Sequence, residues 1–213
     1  MAQIKKGILG GFSGKVGTVV GVNWRGKDII RSLPKATKRV PTNRQLLQRL
    51  KFKKVINFLQ PIRPVLNLYF GNKTGTLSRY NVAMSYTISN AVELVNDLPV
   101  LIMERVLVSK GDLVGFLQLS IDASGGGVFQ MNWENNSGQG NAKTTDIVNL
   151  VCYCEELNTY EVMQGLETRS GLMVDISLPN YYTGKKVNFW AFLNRENSVM
   201  ASTSVYLGEH TVV

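Results

Sequence analysis

Apolar and polar positions alternate with a period of two around residue 20. Val16, Thr18, Val20, Val22 and Trp24 fall on one face of an extended segment, and Gly17, Val19, Gly21 and Asn23 on the other. Arg25-Gly26-Lys27-Asp28 is a turn signal, and Ile29-Ile30-Arg31-Ser32-Leu33 can return, so the pattern predicts a β-hairpin over about residues 16–33. Seven glycines lie between Gly7 and Gly26. Glycines along one strand face leave room for another backbone to approach closely. An extended basic arm follows, Pro34-Lys35-Ala36-Thr37-Lys38-Arg39-Val40-Pro41.

The period changes after Pro41. Thr42 followed by Gln45 is a capping-box start, and it predicts a helix over Asn43–Leu59. Its apolar residues, from Leu46 and Leu47 to Phe58 and Leu59, drift around the helix instead of forming one stripe. That pattern predicts packing on several sides. Pro61 and Pro64 end or kink the helix, residues 71–75 form a loop, and a second helix is predicted over about Leu77–Val95.

From Pro99 the pattern is β throughout. Strands are predicted near 101–108, 114–121, 127–134, 146–154, 158–164, 171–178, 186–194 and 199–207, separated by turns such as Ser124-Gly125-Gly126-Gly127. Short strands at this spacing predict a β-sandwich with Trp133 and Trp190 between its sheets. The fold class read from the pattern is α+β: an N-terminal β-hairpin and helical segment, then an immunoglobulin/fibronectin-like sandwich. The expected zones are a glycine-rich basic hairpin and arm (1–41), a helical segment (42–98) and the sandwich (99–213).

Charge sharpens this division. Residues 1–73 hold 16 Lys and Arg against one acid, Asp28, whereas residues 74–213 hold 8 Lys and Arg against 14 Asp and Glu. A field of one sign attracts a polyanion or an acidic surface and says little about fold. With 44% hydrophobic residues the chain reads as globular, and no apolar run is long enough to span a bilayer. No signal peptide is read at the N-terminus, so synthesis in the cytoplasm is expected, with virion association as the further expectation.

Candidate chemistry is sparse. Gly10-Gly11-Phe12-Ser13-Gly14-Lys15 suggests a phosphate loop, but Leu9 and Val16 occupy the defining positions and a strand is predicted where a helix is needed. His210 is the only histidine, and no G-x-S-x-G elbow occurs. Glu155-Glu156 reads as a solvated turn. Cys152 and Cys154, two apart on a predicted strand, read as buried hydrophobes in a reducing compartment, neither a disulfide nor a metal half-site. No cofactor, metal, small-molecule substrate or catalytic residue is expected.

Ile4-Lys5-Lys6-Gly7-Ile8-Leu9-Gly10-Gly11-Phe12-Ser13-Gly14-Lys15-Val16-Gly17, then Trp24-Arg25-Gly26-Lys27 and Pro41-Thr42-Asn43-Arg44-Gln45, form a specific N-terminal block. Gly138-Gln139-Gly140-Asn141-Ala142-Lys143, Asp146, Phe189-Trp190-Ala191-Phe192 and Ser204-Val205-Tyr206-Leu207-Gly208 continue it. On these residues the chain resembles a family of small Bacteroidetes and phage-encoded proteins known only as a domain of unknown function. The resemblance covers most of the chain. It implies a setting in phages and mobile elements and a C-terminal immunoglobulin-like region, and no activity.

The candidate binding residues are therefore the cations. Lys15, Arg25, Lys27 and Arg31 belong to the hairpin, Lys35, Lys38 and Arg39 to the arm, and Arg44, Arg49, Lys51, Lys53 and Lys54 to the helix. Extended basic arms and basic helices track phosphate backbones, and the same charge suits an acidic protein surface. Tyr181 and Tyr182, with Lys185 and Lys186, are a second candidate patch, expected at the surface. The function expected is a structural, assembling subunit of a phage or mobile-element particle, a homo-oligomer or bound to other particle proteins. The alternatives are a cellular nucleic-acid-binding protein and a carbohydrate-binding sandwich.

Overall fold

A turn interrupts the strand predicted over residues 16–24. In the computed structural model, which describes residues 11–35, 40–72 and 77–213 and the backbone of Ala2–Gln3, the N-terminal strands are β1 (Ala2–Gln3), β2 (Gly14–Val16), β3 (Val19–Trp24) and β4 (Lys27–Ser32). They form an antiparallel sheet in the order β1-β4-β3-β2. Gly17, at φ 57°, takes the left-handed conformation that splits Val16 from Val19. Arg25 and Gly26 both have positive φ, the two-residue hairpin turn that matches strand twist. Gly21 has a different role: a Cβ there would lie 2.4 Å from the Phe12 carbonyl oxygen, so its absence lets residues 11–13 cross the sheet.

The chain divides into two compact units, Met1–Thr42 and Asn43–Val213. The second begins with helix α1 (Asn43–Leu59), at the bounds expected from the sequence, followed by α2 (Arg63–Tyr69), which carries Pro64 in its first turn where the missing N–H costs nothing. Helix α3 (Arg79–Asn90) is shorter than expected. Beyond it the chain forms a hairpin, β5 (Val92–Val95) and β6 (Leu98–Leu101), around Asn96 and Asp97, both at positive φ. This turn chemistry overrides the helical reading. The strand expected near 101–108 is absent, and Met103–Arg105 is a 3-10 turn.

The remaining strands are β7 (Leu117–Gly125), β8 (Val128–Glu134), β9 (Ile147–Cys154), β10 (Thr159–Thr168), β11 (Met173–Ser177), β12 (Lys186–Asn194) and β13 (Val205–Thr211). The last lies C-terminal to its expected position. The chain is α+β, with a four-stranded sheet in the order β10-β9-β12-β13 and a three-stranded sheet in the order β11-β8-β7. β9 and β12 are buried on both faces. Leu150, Cys152, Cys154, Phe189 and Ala191 face Phe129, Met131 and Ile176 of the three-stranded sheet. The alternate residues Val151, Tyr153, Trp190 and Phe192 join Val55, Phe58 and Leu59 of α1 in a second apolar cluster. Phe58 meets the rings of Tyr153, Tyr160 and Trp190 at 5.0, 5.6 and 6.3 Å between centroids. The helices and the four-stranded sheet thus share one core, and the two sheets share another.

One end of this core holds a buried ion pair. Arg169 and Asp146 are both fully buried, with Arg169 Nη2 3.1 Å from Asp146 Oδ2. Arg169 also donates to the carbonyls of Val114 and Gly115, at 2.7 and 2.9 Å, and to Asn136 Oδ1. Arg195 Nε donates to Asp146 Oδ1 at 3.1 Å, and the Lys143 N–H to Oδ2 at 2.8 Å. Burial pushes the Arg169 pKa down, and the Asp146 carboxylate opposes that shift. Replacing Arg169 with Leu takes the buried partner from the Asp146 carboxylate, which keeps only Arg195 and the Lys143 N–H, and removes the guanidinium from the Val114 carbonyl and Asn136 Oδ1, so a loss of about 3–5 kcal/mol is expected in urea unfolding. A midpoint unchanged from the parent protein would contradict this.

Candidate interaction surface

The pairing register of the N-terminal sheet gathers three of the predicted cations, and the hairpin turn adds Arg25. Lys15 lies opposite Val20, Val20 opposite Arg31, Val22 opposite Ile29 and Trp24 opposite Lys27. Directly paired residues share a face, so Lys15, Lys27 and Arg31 flank an apolar stripe of Val20, Val22, Ile29 and Trp24. The Trp24 side chain is 47% exposed, and the Arg25 guanidinium sits 5.1 Å from its ring centroid. Val22, Trp24, Ile29 and Arg31 line a shallow cavity of about 250 Å³. Asp28 pairs with Asn23 on the opposite face, where the Asn23 amide donates to it at 2.9 Å. The one acid of the first 73 residues therefore does not neutralise the basic face. Lys35 is exposed, whereas Lys38 and Arg39 lie outside the described residues.

In the second unit, Arg44, Arg49, Lys53 and Lys54 are exposed along α1, and Lys51 is half-buried. The packing on several sides expected for this helix does not occur, because only Val55, Phe58 and Leu59 are buried. Leu46, Leu50 and Phe52 remain 44–47% exposed between the cations. Phe52 and Ile56 line a groove of about 530 Å³ with Tyr80, Met84 and Ile88 of α3. Among the described residues, every ion pair uses a cation beyond residue 100, so none of the N-terminal cations is paired.

The second candidate patch is only partly at the surface. Tyr181 is exposed and donates to Glu161 at 2.5 Å, a bond that raises its phenol pKa. Tyr182 is fully buried and donates to Thr159 Oγ1 at 3.1 Å, which corrects its expected exposure. It belongs with Trp133 to the apolar cluster between the sheets, whereas Tyr153 and Trp190 are buried against the helices, which corrects the expected place of Trp190 between the sheets. Lys185 and Lys186 pair with Glu156 and Glu209 at 2.7 and 2.8 Å. Those carboxylates hold both lysine pKa values up. The aromatic platform a sugar requires is reduced here to the single ring of Tyr181.

Two features went unread in the sequence. The β5–β6 hairpin exposes Leu94, Val95, Leu98 and Val100, and Asn96-Asp97 between apolar pairs was its signal. The other is the exposed ring of Trp24, whose place in the alternation and in the N-terminal block assigns it no binding role. Among the described residues, no group of three His, Cys, Asp or Glu could hold a metal ion, and no helix is long and apolar enough to cross a membrane. Cys152 and Cys154 are free and fully buried, and burial is the main cause that pushes the Cys152 thiol up.

The model of a family described as "Family of unknown function (DUF6266)" matches residues 11–208, and the chain belongs to that family. No curated protein matches it. The thiols give a direct check on the burial of β9. Neither should react with an aromatic disulfide reagent at pH of about 8 in the native protein, and both should react in denaturant. Rapid titration of either thiol without denaturant would contradict the burial.

Proposed function

We propose that this protein is a non-catalytic structural subunit, a component of a phage or mobile-element particle, whose basic N-terminal third docks on neighbouring chains. One observation carries the reading: unpaired cations stand beside exposed apolar side chains, on the N-terminal sheet and again on α1. A surface that only tracked phosphates would need the charges and not Leu46, Leu50 or Phe52. Exposed apolar patches ringed by polar groups are typical of surfaces buried by another protein. The strand order supports reading the two-sheet part as immunoglobulin/fibronectin-like. β7, β8 and β11 lie in one sheet, and β9, β10, β12 and β13 in the other, so the chain crosses between sheets as in that architecture.

A second reading has its own support. Trp24, with Arg25, Lys27, Arg31 and Lys15 on one sheet face, resembles a platform for an unpaired base with cations for its phosphates. Such binding to a single strand would show a log–log salt slope of about −4 if about six phosphates were neutralised.

Sedimentation across salt concentrations, with the 260/280 absorbance ratio of the purified material, tests both. Assembly predicts species larger than a monomer at about 50 mM salt, shrinking as salt rises, with the absorbance ratio of protein alone. A monomer at every salt and protein concentration overturns the assembly reading. A high ratio that nuclease removes together with the large species favours the second. Trp24→Ala should then weaken oligonucleotide binding by about 1–3 kcal/mol while leaving the melting temperature unchanged.

A further inference from the structure

We infer that copies of this chain associate head to tail, the basic apolar arm of one seated on the acidic outer sheet face of the next. The inference rests on the assembly reading and names the two surfaces, both within the second unit.

This arm is not the extended segment 34–41 but α1 together with the β5–β6 hairpin, which pack against each other through β6. Leu46 and Leu50 are exposed on the helix, and Val95, Leu98 and Val100 on the hairpin, with Leu98 62% exposed. The arm carries the five cations of α1 against two acids, Asp97 and Glu93, and Glu93 is held by Arg105 at 2.5 Å. It is an unpartnered apolar surface of net positive charge.

The complement lies on the three-stranded sheet. Ile121, Phe129, Met131 and Ile176 point inward, so the alternate positions face out. Asp122, Gln130 and Asp175 form one cross-strand row, and the Gln130 amide donates to Asp175 at 3.2 Å. Ser120, Asn132 and Met173 form the next row, with Glu134 opposite Leu117 beyond it. Met173 and Leu117 are 49% and 37% exposed. The three strands contain no Lys or Arg, and none of the three acids is in an ion pair among the described residues. This face is acidic with apolar contacts, the counterpart of the arm.

Position decides how the two surfaces meet. The helices cover one face of the four-stranded sheet, and the three-stranded sheet covers the other. The acidic outer face therefore lies on the side of the unit opposite the helix layer, and one copy cannot satisfy its own arm. Two different surfaces on opposite sides give a heterologous contact, which continues into a ring or a filament.

Charge reversal tests this pairing. Lys53 and Lys54 are exposed, as are Asp122 and Asp175, so reversal at these sites should leave the far-ultraviolet spectrum and the melting curve unchanged. The double variants K53E/K54E and D122K/D175K should each weaken self-association about tenfold or more, because each sets like charge against like. Mixing them in equal amounts makes both contacts complementary again and should restore assembly. Wild-type association in both variants, or no recovery on mixing, overturns the head-to-tail pairing. If association persists in these variants but is lost on reversing Lys15 and Arg31, the assembly reading stands and this pair of surfaces does not. A wild-type protein that stays monomeric removes both.

Discussion

The burial of β9 and β12 on both faces is the constraint on which the second unit depends. A sheet covered on one side can leave its other face to water, whereas these two strands leave no side chain free to face it between Val148 and Cys154 or between Val187 and Leu193. The four-stranded sheet must therefore have a layer on each side. The three-stranded sheet supplies one and the helices the other, held by Phe58 against Tyr153 and Trp190 and by the Tyr160 hydroxyl, which donates to the Phe58 carbonyl at 2.6 Å. This accounts for the two cysteines: at alternate positions of β9, both point toward the three-stranded sheet and act as small apolar fillers. It also separates the charged surfaces, because the outer faces of the two covering layers are remote from each other.

Much of this was legible in the chain, and the limits are instructive. Helix α1 and most strands of the β segment were read near their observed positions because their periods persist over several residues and end at strong turn signals. β9 could have yielded more. Val148-Asn149-Leu150-Val151-Cys152-Tyr153-Cys154 is a nearly continuous apolar run, and that continuity is the mark of a strand covered on both sides. The β5–β6 hairpin was hidden because Val92-Glu93-Leu94-Val95 fits a helical period as well as a strand, and the turn at Asn96-Asp97 decides between them. The drift of apolar residues around α1 was real, but its cause was misjudged. Leu46, Leu50 and Phe52 are not buried by this unit's own core.

The Arg169 network shows a second kind of information that periodicity does not carry. Asn141 and Asp146 belong to a block noticed only through resemblance, with no role assigned to it. In the structure Asp146 accepts from Arg169, Arg195 and the Lys143 N–H, while the Asn141 amide donates to the Asp112 carbonyl at 3.0 Å and its Oδ1 accepts from the Val114 N–H at 2.9 Å. Apart from the Lys143 N–H, partners 23 to 55 residues apart close this network, so no local pattern reveals it. Burying both charges is costly, and the cost is tolerable only because nearly every donor and acceptor finds a partner. The loops from Val114, Asn136, Asn141 and Arg195 converge on one guanidinium–carboxylate pair, which fixes that end of the sheets to a single arrangement.

The same principle separates the two charged systems of this protein. Arg169 and Asp146 are enclosed and satisfied within the chain, as buried charge requires. The cations of α1, all but Lys51, and those of the N-terminal sheet stand exposed beside apolar side chains and find no carboxylate partner among the described residues. Water satisfies a lone exposed lysine well enough, but it does not favour Trp24, Leu50 or Leu98 in contact with it. A partner that covers the apolar surface also brings the charges into a medium of lower dielectric, where each opposite charge on its surface counts for more. Apolar contact and charge therefore reinforce each other only against a surface that offers both, as the outer face of the three-stranded sheet does with Met173 and Leu117 beside Asp122, Glu134 and Asp175.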